Sequence, residues 1–167
     1  MALSSSEAKL ELVLLDSKTQ DIDRLDVITC FTNAGLPPEI ILRLEELWEA
    51  TKVIGEKIIH SGRIIILEIM RFIEENPNLV IGAALGAAVG ALVSAVPYLG
   101  PSLAPLSAAI GGAFGGIVGS RVDRGHKPKD GIVGISQELI ILARKFFELL
   151  AAIFIAVKDD LAKNTKD

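Results

Sequence analysis

Apolar residues fill one long stretch of the chain in which no charged side chain occurs. From Asn76 to Ser120, 45 consecutive residues include no Asp, Glu, Lys or Arg. A bilayer core about 30 Å thick is crossed by roughly 20 apolar residues in a helix that rises 1.5 Å per residue. The stretch is long enough for two crossings, and we predict transmembrane helices over 78–96 and 102–120. Together they form a helical hairpin within residues 76–120.

A turn is predicted between these two helices, because proline and glycine favour chain reversal. The turn residues are Pro97, Tyr98, Gly100 and Pro101. The segment carries no charge, so it is predicted to face the outside of the cell, and a re-entrant hairpin is the alternative.

Basic residues follow the predicted hairpin in a glycine-containing joint over 121–131. They are Arg121, Arg124, Lys127 and Lys129. Positively charged flanks stay on the cytoplasmic side of a membrane. We therefore predict a multi-pass membrane protein with two spans, both termini cytoplasmic, and lipid headgroups near these four side chains.

Amphipathic patterns flank the hairpin on both sides. The N-terminal segment (1–36) shows no clear helical or strand periodicity, and Asn33-Ala34-Gly35 predicts a stop near its end. Pro37-Pro38 then opens a helical pattern of apolar residues that persists over 37–75. Asn76-Pro77-Asn78 ends it. Residues 132–167 are predicted to form a C-terminal amphipathic helix with a polar tail. Its apolar stripe has steps of three and four, as in a coiled coil, and comprises Ile132, Ile135, Leu139, Leu142, Phe146, Leu149 and Ile153.

Small residues recur every four positions in both hairpin helices. The predicted packing positions are Gly82, Gly86, Gly90 and Ser94 in the first helix and Ala108, Gly111, Gly112, Gly115, Gly116 and Gly119 in the second. Small side chains let helix backbones approach closely. Glycine costs about 0.8–1 kcal/mol in a helix relative to alanine, so packing must offset that cost. Two small faces on the second helix predict two close neighbours, one of them in an adjacent protomer.

This spacing resembles the glycine-zipper membrane segments of several unrelated families, including small bacterial inner-membrane proteins, mechanosensitive channels and pore-forming toxins. The run from Glu75-Asn76-Pro77 into Gly82, Gly86 and Gly90 is similar to the membrane anchor of small stress-associated inner-membrane proteins of enteric bacteria. The resemblance covers about 20 residues and implies a bacterial membrane protein. The ribosome binding of those proteins is not carried over.

The remaining chemistry is sparse. No catalytic motif, cofactor motif or metal-ligand cluster occurs in the sequence, and Cys30 is the single cysteine. His60 fits a structural role better than a pH sensor. The net charge of −4 gives no electrostatic case for nucleic acid.

These patterns predict an all-α membrane protein: a two-helix transmembrane glycine-zipper hairpin flanked by long amphipathic helices. We expect a non-enzymatic homo-oligomer that forms a ring or pore-like assembly, of the channel, holin, toxin or membrane-targeting effector type. Its partners are the lipid bilayer and itself. The alternatives are a membrane-shaping or anchoring scaffold and a small accessory subunit that packs on a partner within a larger membrane complex.

Overall fold

The computed structural model describes residues 3–54, 56–96, 99–115 and 137–157. Within them the chain forms eight α-helices, one short π-helix and one two-stranded hairpin. In chain order these are α1 (Ser5–Thr19), α2 (Arg24–Asn33), α3 (Pro38–Trp48), β1 (Lys52–Ile54), β2 (Lys57–Ile59), α4 (Ser61–Glu75), α5 (Ile81–Ala95), α6 (Gly100–Ile110), the π-helix (Gly111–Gly115), α7 (Gln137–Phe146) and α8 (Glu148–Ala156).

Local capping interactions define the N-terminal helices that the sequence pattern left unassigned. The Ser4 hydroxyl accepts a hydrogen bond from the Glu7 backbone N–H, and the Glu7 carboxylate accepts one from the Ser4 N–H, which forms a capping box for α1. Helix α2 ends at Asn33, followed by Gly35 in a left-handed conformation (φ 97°). The predicted stop at 33–35 is therefore confirmed, since glycine adopts this conformation without strain.

The helix predicted over 37–75 is interrupted in its middle. Helix α3 begins after Pro37 as predicted but ends at Trp48, and an antiparallel hairpin follows in which Val53 pairs with Ile58. Valine and isoleucine favour strands. Helix α4 resumes at Ser61 and ends at Glu75, where the predicted stop is confirmed.

A glycine allows α4 to begin directly against the end of α3. A Cβ atom at Gly62 would overlap the Leu47 carbonyl oxygen and lie 2.7 Å from the Leu47 carbonyl carbon. The Gly62 N–H also donates to the Ala50 carbonyl at 3.0 Å. Only glycine fits this close approach, which sets how the two helices pack on either side of the hairpin.

The uncharged stretch does not form a transmembrane hairpin. Helix α5 has 15 residues and α6 has 11, so they are about 22 and 16 Å long at 1.5 Å per residue, short of a bilayer core. Within the described ranges, no helix combines the length and apolar character needed to cross a membrane. The predicted fold class, the two spans over 78–96 and 102–120 and the multi-pass membrane localisation are therefore wrong.

Helix α5 is apolar because other helices surround it. It packs against α4, α6 and α7, and nine of its residues are buried, among them Leu85 and Leu92. A helix that is apolar on all sides is typical of a protein core as well as of a membrane span. The bundle around α5 thus provides the apolar surroundings that we attributed to lipid.

The predicted stripe of the C-terminal helices is buried only in part. Ile153 is 1% exposed, and Leu139 and Phe146 pack against the core. Leu142 and Leu149 are 43% and 62% exposed, whereas Ala143, Phe147 and Leu150 are buried. The described part of the predicted helix consists of α7 and α8, separated at Phe147. Three aromatic rings, Phe72 of α4 with Phe146 and Phe147, have centroids 5.1–5.7 Å apart and join these helices to the core.

Candidate functional site

The predicted packing row on the first hairpin helix is divided between core and surface. Gly82 and Gly86 are buried in α5, while Gly90 and Ser94 are exposed. The Ser94 hydroxyl accepts hydrogen bonds from the Arg144 guanidinium of α7 at 3.1 and 3.3 Å. The first two glycines therefore lie in a helix packed by neighbours in the same chain, and the end of the row reaches solvent.

Helix α6 and the π-helix have two distinct faces. Leu103, Leu106 and Ile110 are buried, and α6 packs against α3 and α5. The opposite face is uncharged and exposed, and it contains Pro101 and Pro105 beside a row of small residues. We call this row the α6 small-residue face, formed by Ala104, Ser107, Ala108, Gly111 and Gly112.

The glycines of this face have open space beside them in the described part of the structure. A Cβ atom at Gly111 or Gly112 would meet nothing within 4 Å, and the same holds for Gly90 of α5. Glycine in a helix interior costs about 0.5–1 kcal/mol relative to alanine. Among the described residues, therefore, no close contact offsets the cost of glycine at these positions.

The other predicted site residues divide into two groups. Gly100 and Pro101 lie in the first turn of α6 and are part of that helix, not of the predicted turn, and Gly115 ends the π-helix. The remaining predicted positions lie outside the described residues, namely Pro97, Tyr98, Gly116, Gly119, Arg121, Arg124, Lys127 and Lys129.

A polar contact that sequence analysis missed joins α1 to the end of the hairpin. The Asp16 carboxylate accepts a hydrogen bond from the His60 backbone N–H at 2.6 Å and lies 2.9 Å from the His60 ring Nδ1. The two residues are 44 positions apart, so no local spacing predicted the pair. The Asp16 side chain is 14% exposed and His60 29%. This arrangement fixes the α1–hairpin contact and supports the structural role expected for His60.

Across the described ranges, no three His, Cys, Asp or Glu side chains are grouped so that they could hold a metal ion. Cys30 is a free, exposed thiol on α2. No family model, curated protein or solved structure matches the chain. The α6 small-residue face is the candidate functional site because of its exposure and the open space beside Gly111 and Gly112.

Proposed function

We propose that this protein is a non-enzymatic homo-oligomer whose copies pack through the α6 small-residue face, and that its function resides in the assembly. The observation that carries the proposal is the open space beside Gly111 and Gly112. Residues without side chains let two backbones approach closely and gain dispersion and weak Cα–H···O contacts. A surface that uses glycine at an energetic cost and packs against none of the described residues is suited to an intermolecular contact.

The chemistry of the surface favours a second copy of the chain as the partner. Apart from the Ser107 hydroxyl, its side chains offer no polar group, so burying it against an identical surface desolvates no charge. A two-fold axis brings the same patch of both protomers together, and a patch of uniformly small residues is compatible with itself. A partner with a charged surface would lose solvation here without gaining an ion pair.

The test is the mass of the purified full chain across a range of concentrations, measured by sedimentation or light scattering. We expect a discrete oligomer for the parent. Ala108→Arg places a long charged side chain on the α6 small-residue face. Because Ala108 is exposed and arginine is a good helix former, the monomer fold should persist while the assembly dissociates.

Ala34→Arg is the matched control, because Ala34 is equally exposed but lies at the end of α2. It should assemble like the parent and show the same circular dichroism as Ala108→Arg. A parent that stays monomeric at several hundred micromolar would contradict the proposal. Equal assembly of Ala108→Arg and the parent would show that copies associate elsewhere.

A further inference from the structure

A groove of about 290 Å³ lies between α1 and the β-hairpin. Its floor is apolar: Leu12, Ile54 and Ile59 are at most 5% exposed. The Leu10 side chain stands at its edge and is 60% exposed. The full lining consists of Lys9, Leu10, Leu12, Val13, Ile54, Lys57 and Ile59. Its volume is at the lower end of the range for small-molecule sites.

The charges of this groove have one sign. Lys9 comes from the helix wall and Lys57 from the strand wall, and no carboxylate is among the lining residues. Lys57 is exposed and forms no ion pair within the described ranges. Lys9 already makes an interaction of its own, so Lys57 is the better candidate for a ligand contact. An apolar floor beside the Lys57 ammonium is complementary to a molecule with an apolar body and one negative end.

A second groove, of about 520 Å³ between α1 and α4, lacks this complementarity. Its lining contains Lys18 and Arg71 but also Glu68 and Glu74. Arg71 already pairs with Glu68 at 3.0 Å. Because its charges are of both signs, this second groove favours no class of ligand. It provides the control position for variants of the groove between α1 and the β-hairpin.

We propose that the groove between α1 and the β-hairpin binds a medium-chain monocarboxylate, with the tail on Leu12, Ile54 and Ile59 and the carboxylate at the Lys57 ammonium. The floor residues are themselves buried, so the apolar surface that the tail would remove from water is mainly that of the Leu10 side chain, which is 60% exposed. The carboxylate forms a charge-assisted hydrogen bond with an ammonium group that has no other ionic partner among the described residues. The groove involves neither α6 nor the π-helix, so it is independent of the proposed assembly.

Calorimetric titration with octanoate, kept below its micelle-forming concentration, tests this assignment. Each methylene added from hexanoate to octanoate should tighten binding about fourfold, which is the value of one buried methylene group. Octyltrimethylammonium, which has the same tail and the opposite charge, should bind at least tenfold more weakly. Lys57→Glu should weaken octanoate binding about tenfold, because it replaces an attraction by a repulsion.

Two further variants locate the ligand. Leu10→Asp, at an exposed position, should weaken octanoate binding without altering the helical signal. Lys18→Glu, at the second groove, should leave binding unchanged. Ala108→Arg should also bind octanoate like the parent, whatever its oligomeric state, which separates this inference from the proposed function.

Three outcomes would overturn the assignment. Equal binding of octanoate and octyltrimethylammonium would mean that the lysines select nothing. Loss of binding in Lys18→Glu but not in Lys57→Glu would place the ligand in the second groove. Absence of octanoate binding, together with a change of oligomeric mass in Leu10→Asp, would assign the groove to contact between copies.

Discussion

Replacing Gly62 by alanine tests the contact that positions α4 against α3. The new methyl group would overlap the Leu47 carbonyl oxygen and stand 3.3 Å from the Ala50 Cβ. The obstacle is the Leu47 backbone, which cannot rotate away like the end of a flexible side chain. The start of α4 must therefore shift, and the hydrogen bond from the Gly62 N–H to the Ala50 carbonyl, 3.0 Å in the parent, is strained or lost.

The magnitude follows from three contributions to the free energy of unfolding. Overpacking costs about 1–3 kcal/mol, and a lost hydrogen bond about 1 kcal/mol. Alanine in place of glycine returns at most about 1 kcal/mol of helix propensity. We expect Gly62→Ala to lower the free energy of unfolding by about 1–3 kcal/mol. For a chain of this size the melting temperature should fall by about 2–12 °C.

Gly90→Ala is the matched control, since it makes the same chemical change in a helix where a Cβ atom meets nothing within 4 Å. It should stabilise the protein by about 0.5–1 kcal/mol. Urea unfolding followed by circular dichroism measures both variants. Equal effects of the two substitutions, or a stabilised Gly62→Ala, would refute the close approach of α4 to the Leu47 carbonyl.

Three further variants test the packing and polar contacts, all by the same unfolding assay. Asp16→Ala removes the acceptor for the partly buried His60 N–H and should cost about 1–3 kcal/mol. Phe72→Ala empties a fully buried position in the aromatic cluster and should cost about 3–5 kcal/mol. Ser4→Ala removes the hydroxyl that accepts from the Glu7 N–H at 3.2 Å and should cost about 1 kcal/mol.

Each of these variants has a control at an exposed position of the same residue type or character. Asp21→Ala, Leu149→Ala and Ser6→Ala should each change the free energy of unfolding by no more than about 0.5 kcal/mol. If a variant and its control behave alike, the contact named for that variant does not stabilise the protein.

Helix boundaries were predictable wherever a residue imposes a backbone constraint. Gly35 ends α2, Pro37 precedes α3, and Asn76 ends α4, where its side chain donates to the Phe72 carbonyl at 2.8 Å. The interruption of 37–75 was missed because its isoleucines also fit a helical stripe. The contact between Gly62 and Leu47 joins residues 15 positions apart, and helical spacing alone does not specify it.

The uncharged stretch shows why composition misled the fold prediction. Hydropathy reports that a segment avoids water, not whether lipid or protein replaces the water. Leu85 and Leu92 of α5 are fully buried. Whether lipid or protein surrounds these side chains depends on the packing of α4, α6 and α7 against α5. The sequence of α5 does not identify those neighbours. The packing role predicted for the small residues stays a prediction, and the exposure of Ala104, Ser107 and Ala108 on α6 could be seen only in the structure.

The exposure of Leu142 and Leu149, two members of the predicted C-terminal stripe, has a similar cause. Spacings of three and four fit Leu139, Leu142, Phe146 and Leu149, and they fit Ala143, Phe147, Leu150 and Phe154 equally well. The second set is the buried one. The wide apolar face allowed both choices, and packing against α5 and α1 decided between them.

Cysteine cross-linking between copies tests the proposed assembly most directly. In a Cys30→Ser background, Ala104→Cys, Ala108→Cys and Gly112→Cys place single thiols along the α6 small-residue face, and Ala34→Cys provides an exposed thiol elsewhere. A disulfide requires Cβ atoms about 3.5–4.5 Å apart. The proposal predicts that at least one α6 variant forms a disulfide-linked dimer under mild oxidation while Ala34→Cys remains monomeric. Cross-linking of Ala34→Cys to the same extent as the α6 variants, or none by any α6 variant, would contradict it.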